Sequence, residues 1–96
     1  MTTHVVLFRW QPGTPPERVA ALGAALDAMV PEVPTIRSYR HGADLGLAEG
    51  NWDYAVVATF DDENGFVAYR DHPVHVAVVD GHVRPILAEA ARVQVA

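Results

Sequence analysis

Hydrophobic residues alternate along the first ten positions of the chain. In a strand, every second residue shares a face of the sheet, so residues 3–10 define two largely apolar faces. One face carries His4, Val6, Phe8 and Trp10, and the other carries Val5 and Leu7. The alternation predicts a first strand in which His4 points into the protein interior, beside apolar neighbours.

Three more segments are predicted as strands: residues 36–42, 52–60 and 90–95. The segment 52–60 alternates like the first strand. Its inner face carries Trp52, Tyr54, Val56, Ala58 and Phe60. Residues 43–51 are punctuated by glycines and acidic residues, which predicts a loop.

A helix is predicted between the first two strands. Thr14, Pro15 and Glu17 form a helix-start pattern, with Thr14 as the N-cap and Pro15 at the first helical position. Pro31 and Pro34 end the helix. Hydrophobic residues at helical spacing form its buried stripe: Val19, Leu22, Leu26, Met29 and Val30.

Two shorter helices are predicted in the second half of the chain. The first begins at an Asp61 or Asp62 cap and runs through Tyr69, and the second runs from about Pro73 to about Val83. The element order is therefore β-α-β-β-α-α-β. Three helices are too few to cover both faces of a four-stranded sheet, so one sheet face lacks a cover within the chain.

The uncovered sheet face is apolar where water-facing residues are expected. Val5 and Leu7 of the first strand and Ala55 and Val57 of the third strand lie on it. One interpretation is a compositional bias, because alanine and valine each occur 15 times. The other is a homodimer in which a second copy of the chain covers this face.

Composition narrows the classes of partner. The 96 residues carry 7 cationic residues, all arginine, and 12 acidic ones, for a net charge of −5, and one domain is predicted over residues 1–96. This excess of negative charge argues against binding to nucleic acid or to an anionic membrane surface. Without cysteine there is no disulfide, thiolate nucleophile or cysteine-ligated zinc. No apolar run approaches the ~18 residues of a membrane helix and no signal-peptide pattern is present, so a cytoplasmic location is expected.

Four segments of the chain resemble the stress-responsive A/B barrel (Dabb) domain. They are the opening strand His4–Phe8, the proline-rich loop after it, Ala58–Asp62, and the string Tyr-x-x-His-Pro-x-His at residues 69–75. The resemblance covers nearly the whole chain. It implies a ferredoxin-like α+β fold with an antiparallel sheet. It also implies that two copies pair sheet against sheet as a dimeric α+β barrel with the helices outside.

The resemblance also implies an activity. A polyketide cyclase of this family closes a linear poly-β-keto thioester by aldol condensation, without a metal or an organic cofactor. By resemblance, His75 matches the catalytic base, Tyr69 its hydrogen-bond partner, and His4 a histidine that lines the same pocket. Tyr54 stands where the cyclase has another histidine.

The residue types themselves suit that reaction. Ring closure needs a base to remove a proton α to a carbonyl and a donor to stabilise the oxyanion. Imidazole, with a pKa near ~6.5, is a base at neutral pH, whereas a tyrosine hydroxyl, near ~10, is a donor. Tyr69 and His75 would lie about 240° apart on one continuous helix, and a bend at Pro73 would bring them together. Alternatively, Tyr69 packs in the core, His75 caps a helix end and His4 is a hydrogen-bonded core residue.

An apolar small-molecule pocket is expected around these side chains, with Tyr54, Phe8 and Trp52 as substrate-binding residues. The histidine spacing supplies at most two ligands for one ion, so no metal site is predicted. His41 and His82, each beside a glycine, are interpreted as surface positions. Two other functions stay open. One is a non-catalytic ligand-binding or stress-responsive dimeric protein, and the other is a cofactor-free oxygenase, since related dimeric barrels include such enzymes.

Overall fold

A computed structural model describes all 96 residues of the chain. The four strands are β1 (Thr2–Trp10), β2 (Ser38–Ala43), β3 (Tyr54–Phe60) and β4 (Leu87–Val95). The three α-helices are α1 (Pro16–Met29), α2 (Glu63–Asp71) and α3 (Pro73–Val78). A 3-10 turn at Val30–Glu32 follows α1, and a π-helical turn at Val79–Val83 follows α3. None of the helices has the length and apolar character needed to cross a membrane.

The strands form one antiparallel sheet in the order β2-β3-β1-β4. The first strand of the chain therefore lies in the interior of the sheet, between β3 and β4, while β2 and β4 form its edges. The predicted element order and the ferredoxin-like α+β fold are confirmed.

The core lies between one face of the sheet and the helices. Alternation along β3 produces its sheet side, because Tyr54, Val56, Ala58 and Phe60 are all buried. The helix side comes from α1, whose buried residues recur at spacings of three and four: Leu22, Leu26 and Met29. The predicted inner faces of the sheet and the buried stripe of α1 are thus confirmed at these positions.

The start of α1 differs from the prediction. Pro15 is the N-cap and Pro16 the first helical residue. The Thr14 hydroxyl instead donates a hydrogen bond to the Gln11 carbonyl at 2.6 Å, closing the turn before the helix. The prediction of Thr14 as the N-cap was wrong because Pro16 disfavours a helical conformation for the residue before it, so Pro15 is extended and the helix begins one residue later. β4 also begins three residues before its predicted start, at Leu87.

The junction between α2 and α3 determines the direction of the next side chains. The Asp62 carboxylate accepts a hydrogen bond from the Gly65 amide at 2.9 Å, which confirms an aspartate cap for α2. His72 ends α2 in an extended conformation, as expected for a residue before proline. Its Nδ1 accepts from the Val74 amide at 3.1 Å and so caps α3. Helix α3 therefore starts anew at Pro73.

The second face of the sheet has no helix over it. Val5, Leu7 and Ala55 are half-buried there, and Val57, at the centre of the sheet, is 38% exposed. Val93 of β4 pairs with Val5 and is 53% exposed. These residues consequently form a continuous apolar patch at the centre of the uncovered face, and the exposed Arg40 of β2 borders it beside Val57.

Candidate active site

A cavity of about 310 Å³ lies between the helices and the inner face of the sheet. Thirteen of its 19 lining residues are hydrophobic, among them Val6 and Val56 from the sheet and Leu26 from α1. Its polar groups are few and include the imidazoles of His4 and His75. An apolar concavity with a small number of polar groups is the usual form of a small-molecule site.

His75 reaches the cavity from the first turn of α3. Its Nδ1 lies 3.0 Å from the backbone carbonyl oxygen of Arg70, near the end of α2. A carbonyl oxygen only accepts, so Nδ1 carries the proton and Nε2 of the neutral ring carries the lone pair. Nε2 has no partner in the chain and is not sealed from solvent. His75 therefore both caps a helix end and presents the lone pair that a general base needs.

His4 reaches the same cavity from β1. The side-chain amide nitrogen of Gln94 donates to His4 Nδ1 at 3.0 Å. Because Nδ1 accepts, Nε2 bears the proton of the neutral ring. The two histidines thus have opposite tautomers: His4 presents an N–H donor, and His75 presents an acceptor.

Tyr69 packs against both histidines. Its ring centroid lies 4.1 Å from that of His75 and 6.0 Å from that of His4. Its hydroxyl lies 2.9 Å from the hydroxyl of Tyr39 on β2. The helix break at Pro73 permits the close approach of Tyr69 and His75. Tyr39 was not identified from the sequence, although it shares the inner face of β2 with His41.

Burial keeps the two histidines and the two tyrosines at the cavity neutral at pH 7. Desolvation and nearby positive charge lower the pKa of His4 to about 4. Burial also lowers the pKa of His75, against the opposing effect of its hydrogen bond to the Arg70 carbonyl. Burial raises the pKa of Tyr69 and of Tyr39, so both hydroxyls retain their protons. The cavity therefore offers one free base and several donors at neutral pH.

Four of the six predicted site residues line this cavity, namely His75, Tyr69, His4 and Phe8. Tyr54 and Trp52 do not, in contrast to the prediction that both bind substrate there. Trp52 precedes β3, so the strand alternation does not extend to it. Its ring packs instead under Arg9, and the guanidinium carbon of Arg9 lies 4.5 Å from the centroid of the Trp52 ring.

Tyr54 belongs to a second polar cluster that sequence reasoning missed. Its hydroxyl lies 2.7 Å from His41 Nδ1, and His41 Nε2 lies 2.6 Å from the Asp27 carboxylate. The His41 side chain is only 13% exposed, so its interpretation as a surface position was wrong. The Tyr54 hydroxyl packs against α1 at Gly23, where an added Cβ would lie 3.4 Å away. The cluster joins α1, β2 and β3 behind the cavity and leaves Tyr54 no access to a ligand there.

No three histidine, aspartate or glutamate side chains lie close enough together to hold a metal ion. His72, three positions before His75, uses its Nδ1 as the cap of α3.

The lowered pKa of the buried His4 should make the thermal stability of the protein depend on pH. Its pKa is about 4 in the folded protein and 6.5 in an unfolded chain, so the unfolded state binds more protons between these pH values. The stabilisation is present above pH 6.5 and is lost as the pH falls toward 4. The loss amounts to about 1–2 kcal/mol, discounted because part of the ring reaches water.

The comparison is between the wild type and His4→Gln, at one protein concentration. Between about pH 7 and about pH 4.5, the Tm of the wild type should fall by more than that of His4→Gln, which has no titrating group at this position. Equal falls in the two proteins would contradict a depressed pKa for His4.

The fold and the cavity together define a ferredoxin-like α+β protein with a mostly apolar cavity between its helices and its sheet. The family model for the stress responsive A/B barrel domain (Dabb) matches residues 2–95. The chain therefore belongs to the Dabb family.

Individual relatives agree with this membership. A stress-response A/B barrel domain-containing protein of Arabidopsis thaliana is 26% identical over 76 residues. The match covers 76% of this chain and 66% of the relative, just under two thirds of its length. The crystal structure of a dimeric ferredoxin-like protein from Thermobifida fusca is 44% identical, with a TM-score of 0.92, and covers 99% of this chain and 89% of that one.

A more distant structure shares the fold alone. The hydroxynitrile lyase from Passiflora edulis is 15% identical, with a TM-score of 0.84. The likeness covers 98% of this chain and 90% of the lyase.

Proposed function

We propose that the protein is a small-molecule enzyme that performs an acid–base aldol cyclisation of the polyketide-cyclase type. The observation that carries the proposal is the pair of histidines with opposite tautomers at one apolar cavity. His75 Nε2 can accept a proton while His4 Nε2 donates one, and both rings are neutral at the same pH. A base and a donor in one mostly apolar pocket are the requirements for enolate chemistry.

The reaction follows from these positions. His75 Nε2 removes a proton from a carbon α to a carbonyl of the linear substrate, and the resulting enolate oxygen accepts a hydrogen bond from His4 Nε2–H. The enolate carbon then attacks a second carbonyl of the same molecule, which forms the carbon–carbon bond. The alkoxide produced takes the proton back from His75.

Tyr69 acts in this scheme as a donor to the oxyanion and not as the hydrogen-bond partner of His75, because its hydroxyl pairs with Tyr39 and His75 Nδ1 donates to the Arg70 carbonyl. The raised pKa of Tyr69 keeps its hydroxyl protonated, and either hydroxyl of the Tyr39–Tyr69 pair can donate to the other. When Tyr39 is the donor, the Tyr69 proton is free for another acceptor. Tyr69 can therefore direct its own proton toward the developing oxyanion. A likeness to the Passiflora edulis hydroxynitrile lyase supports only the compatibility of this fold with a lyase.

We also propose that the protein is a homodimer that pairs through the uncovered sheet face. The support is the continuous apolar surface around Val5 and Val57, together with the 44% identical Thermobifida fusca protein, which is described as dimeric. A two-fold pair would bury the same patch of both copies. The helices and both cavities would then lie outside the joined sheets.

The decisive test supplies the purified protein with a linear poly-β-keto thioester. We expect cyclised product, identified by mass spectrometry, to form faster than in buffer alone. Saturable binding of the thioester without acceleration would instead favour the non-catalytic ligand-binding protein. If the protein neither binds nor converts the thioester, both functions are contradicted.

A further inference from the structure

The mouth of the cavity carries more positive than negative charge, although the whole chain has a net charge of −5. Three arginines and one acidic residue, Asp80, line it. Arg84 Nε donates to Asp80 at 2.8 Å, and Arg70 Nε donates to Asp71 at 2.9 Å. The side chain of the third arginine, Arg92, makes no hydrogen bond or ion pair with any residue of the chain. One uncompensated guanidinium therefore stands at the cavity.

The strand register determines the direction of this side chain. Arg92 of β4 pairs with Val6 of β1, and directly opposed residues share a face of the sheet. Val6 lies on the inner face and lines the cavity, so Arg92 belongs to the cavity side as well. Its charge contributes to lowering the pKa of His4, which places the guanidinium within electrostatic range of that ring. Because β4 is an edge strand, Arg92 remains exposed while bordering the cavity.

We propose that Arg92 binds the carboxylate of an amphipathic ligand whose apolar body fills the cavity. The proposal rests on the proposed small-molecule function of this cavity. A guanidinium matches a carboxylate through two parallel hydrogen bonds. One free arginine balances one negative charge, since Arg70 and Arg84 are already neutralised by their own partners. A single charge suits a carboxylate better than the dianion of a phosphate monoester.

Arg92 has a second interpretation that involves no ligand. An inward-facing charge on an edge strand discourages pairing with the strand of another molecule. Protection of the edge would leave small-molecule affinity independent of Arg92, so ligand binding distinguishes the two roles.

The test compares octanoate with octanamide by isothermal titration calorimetry near neutral pH. The two probes have the same chain length, and only octanoate is charged. We expect the wild type to bind octanoate about 10-fold more tightly than octanamide, an advantage that salt reduces. Arg92→Gln should abolish this preference while leaving the octanamide affinity unchanged. Arg18→Gln is the matched control, because Arg18 on α1 is also exposed and unpaired but does not line the cavity, and it should retain the preference.

Several results would overturn the proposal. Equal binding of the two probes to the wild type, or an unchanged octanoate preference in Arg92→Gln, would mean that Arg92 protects the sheet edge and does not bind a carboxylate. Tighter binding of octyl phosphate than of octanoate would assign the site to phosphate and contradict the carboxylate. Binding of neither probe to the wild type would also reject the proposal. Turnover of the poly-β-keto thioester is measured separately, so failure of the carboxylate site and failure of the cyclase function remain distinguishable.

Discussion

Replacing His75 by alanine should lower the turnover of a linear poly-β-keto thioester by about 100-fold or more. The ring supplies the only imidazole lone pair that the structure leaves free at the cavity, at Nε2, because Nδ1 donates to the Arg70 carbonyl and His4 Nδ1 accepts from Gln94. Without the ring, the remaining carboxylate at the cavity is that of Asp80, which is held in an ion pair by Arg84 at 2.8 Å. The measurement is kcat from the appearance of cyclised product.

Two further variants separate catalysis from structure. His82→Ala is the matched control, because His82 follows α3 but does not line the cavity, and it should retain full turnover. Tyr69→Phe keeps the packing of the ring and removes the hydroxyl, which should cost roughly 10-fold to 1000-fold in kcat. Equal losses in His75→Ala and His82→Ala, or wild-type turnover in His75→Ala, would refute His75 as the base.

The pH profile provides an independent check on the same base. Burial lowers the pKa of His75 below 6.5, so Nε2 remains unprotonated at a pH where an exposed histidine is half charged. The rate should therefore persist down to pH 6.5 and decline only at lower pH. A rate that already falls by half near pH 7 would contradict a depressed pKa.

Strand patterning predicted the sheet well because its signal is local. The alternation at Val6 and Phe8, and at Val56 and Ala58, already separates the two faces, and the structure buries these residues as expected. Element ends were less predictable. The start of α1 depended on the second of two consecutive prolines, because Pro16 keeps Pro15 extended and moves the first helical position by one residue.

The site was predictable only in part, because register joins residues that lie far apart in the sequence. Proline at position 73 was a local signal for the approach of Tyr69 and His75. The partner of His4 is Gln94, ninety positions away, and it became identifiable only from the pairing of β1 with β4. His41 was missed for the same reason, since its ion-pair partner Asp27 lies on a different element. An arginine in the otherwise mostly apolar alternation of β4 was the one local signal for Arg92.

Val57→Arg should convert a wild-type dimer into a monomer at micromolar concentration. Val57 lies on β3, in the middle of the uncovered sheet face, and pairs with Val5 on the neighbouring strand. In a sheet-to-sheet dimer, the two-fold axis brings two new guanidinium groups into the contact beside Arg40, and neither cross-strand neighbour of Val57, Val5 or Arg40, is an acid. An unpaired buried charge weakens such an interface by roughly 100-fold or more in dissociation constant. Light scattering coupled to size-exclusion chromatography measures the mass.

Val67→Arg is the matched control for this experiment. Val67 lies on α2 and is 40% exposed, nearly the same as Val57 at 38%, so the two substitutions add the same charge to equally accessible valines. Far-ultraviolet circular dichroism verifies that both variants are folded. If Val67→Arg alone dissociates the dimer, the copies pair through helices and not through the sheet. A monomeric wild type would mean that the apolar face around Val57 reflects the alanine and valine bias of the sequence, because no second copy then covers it.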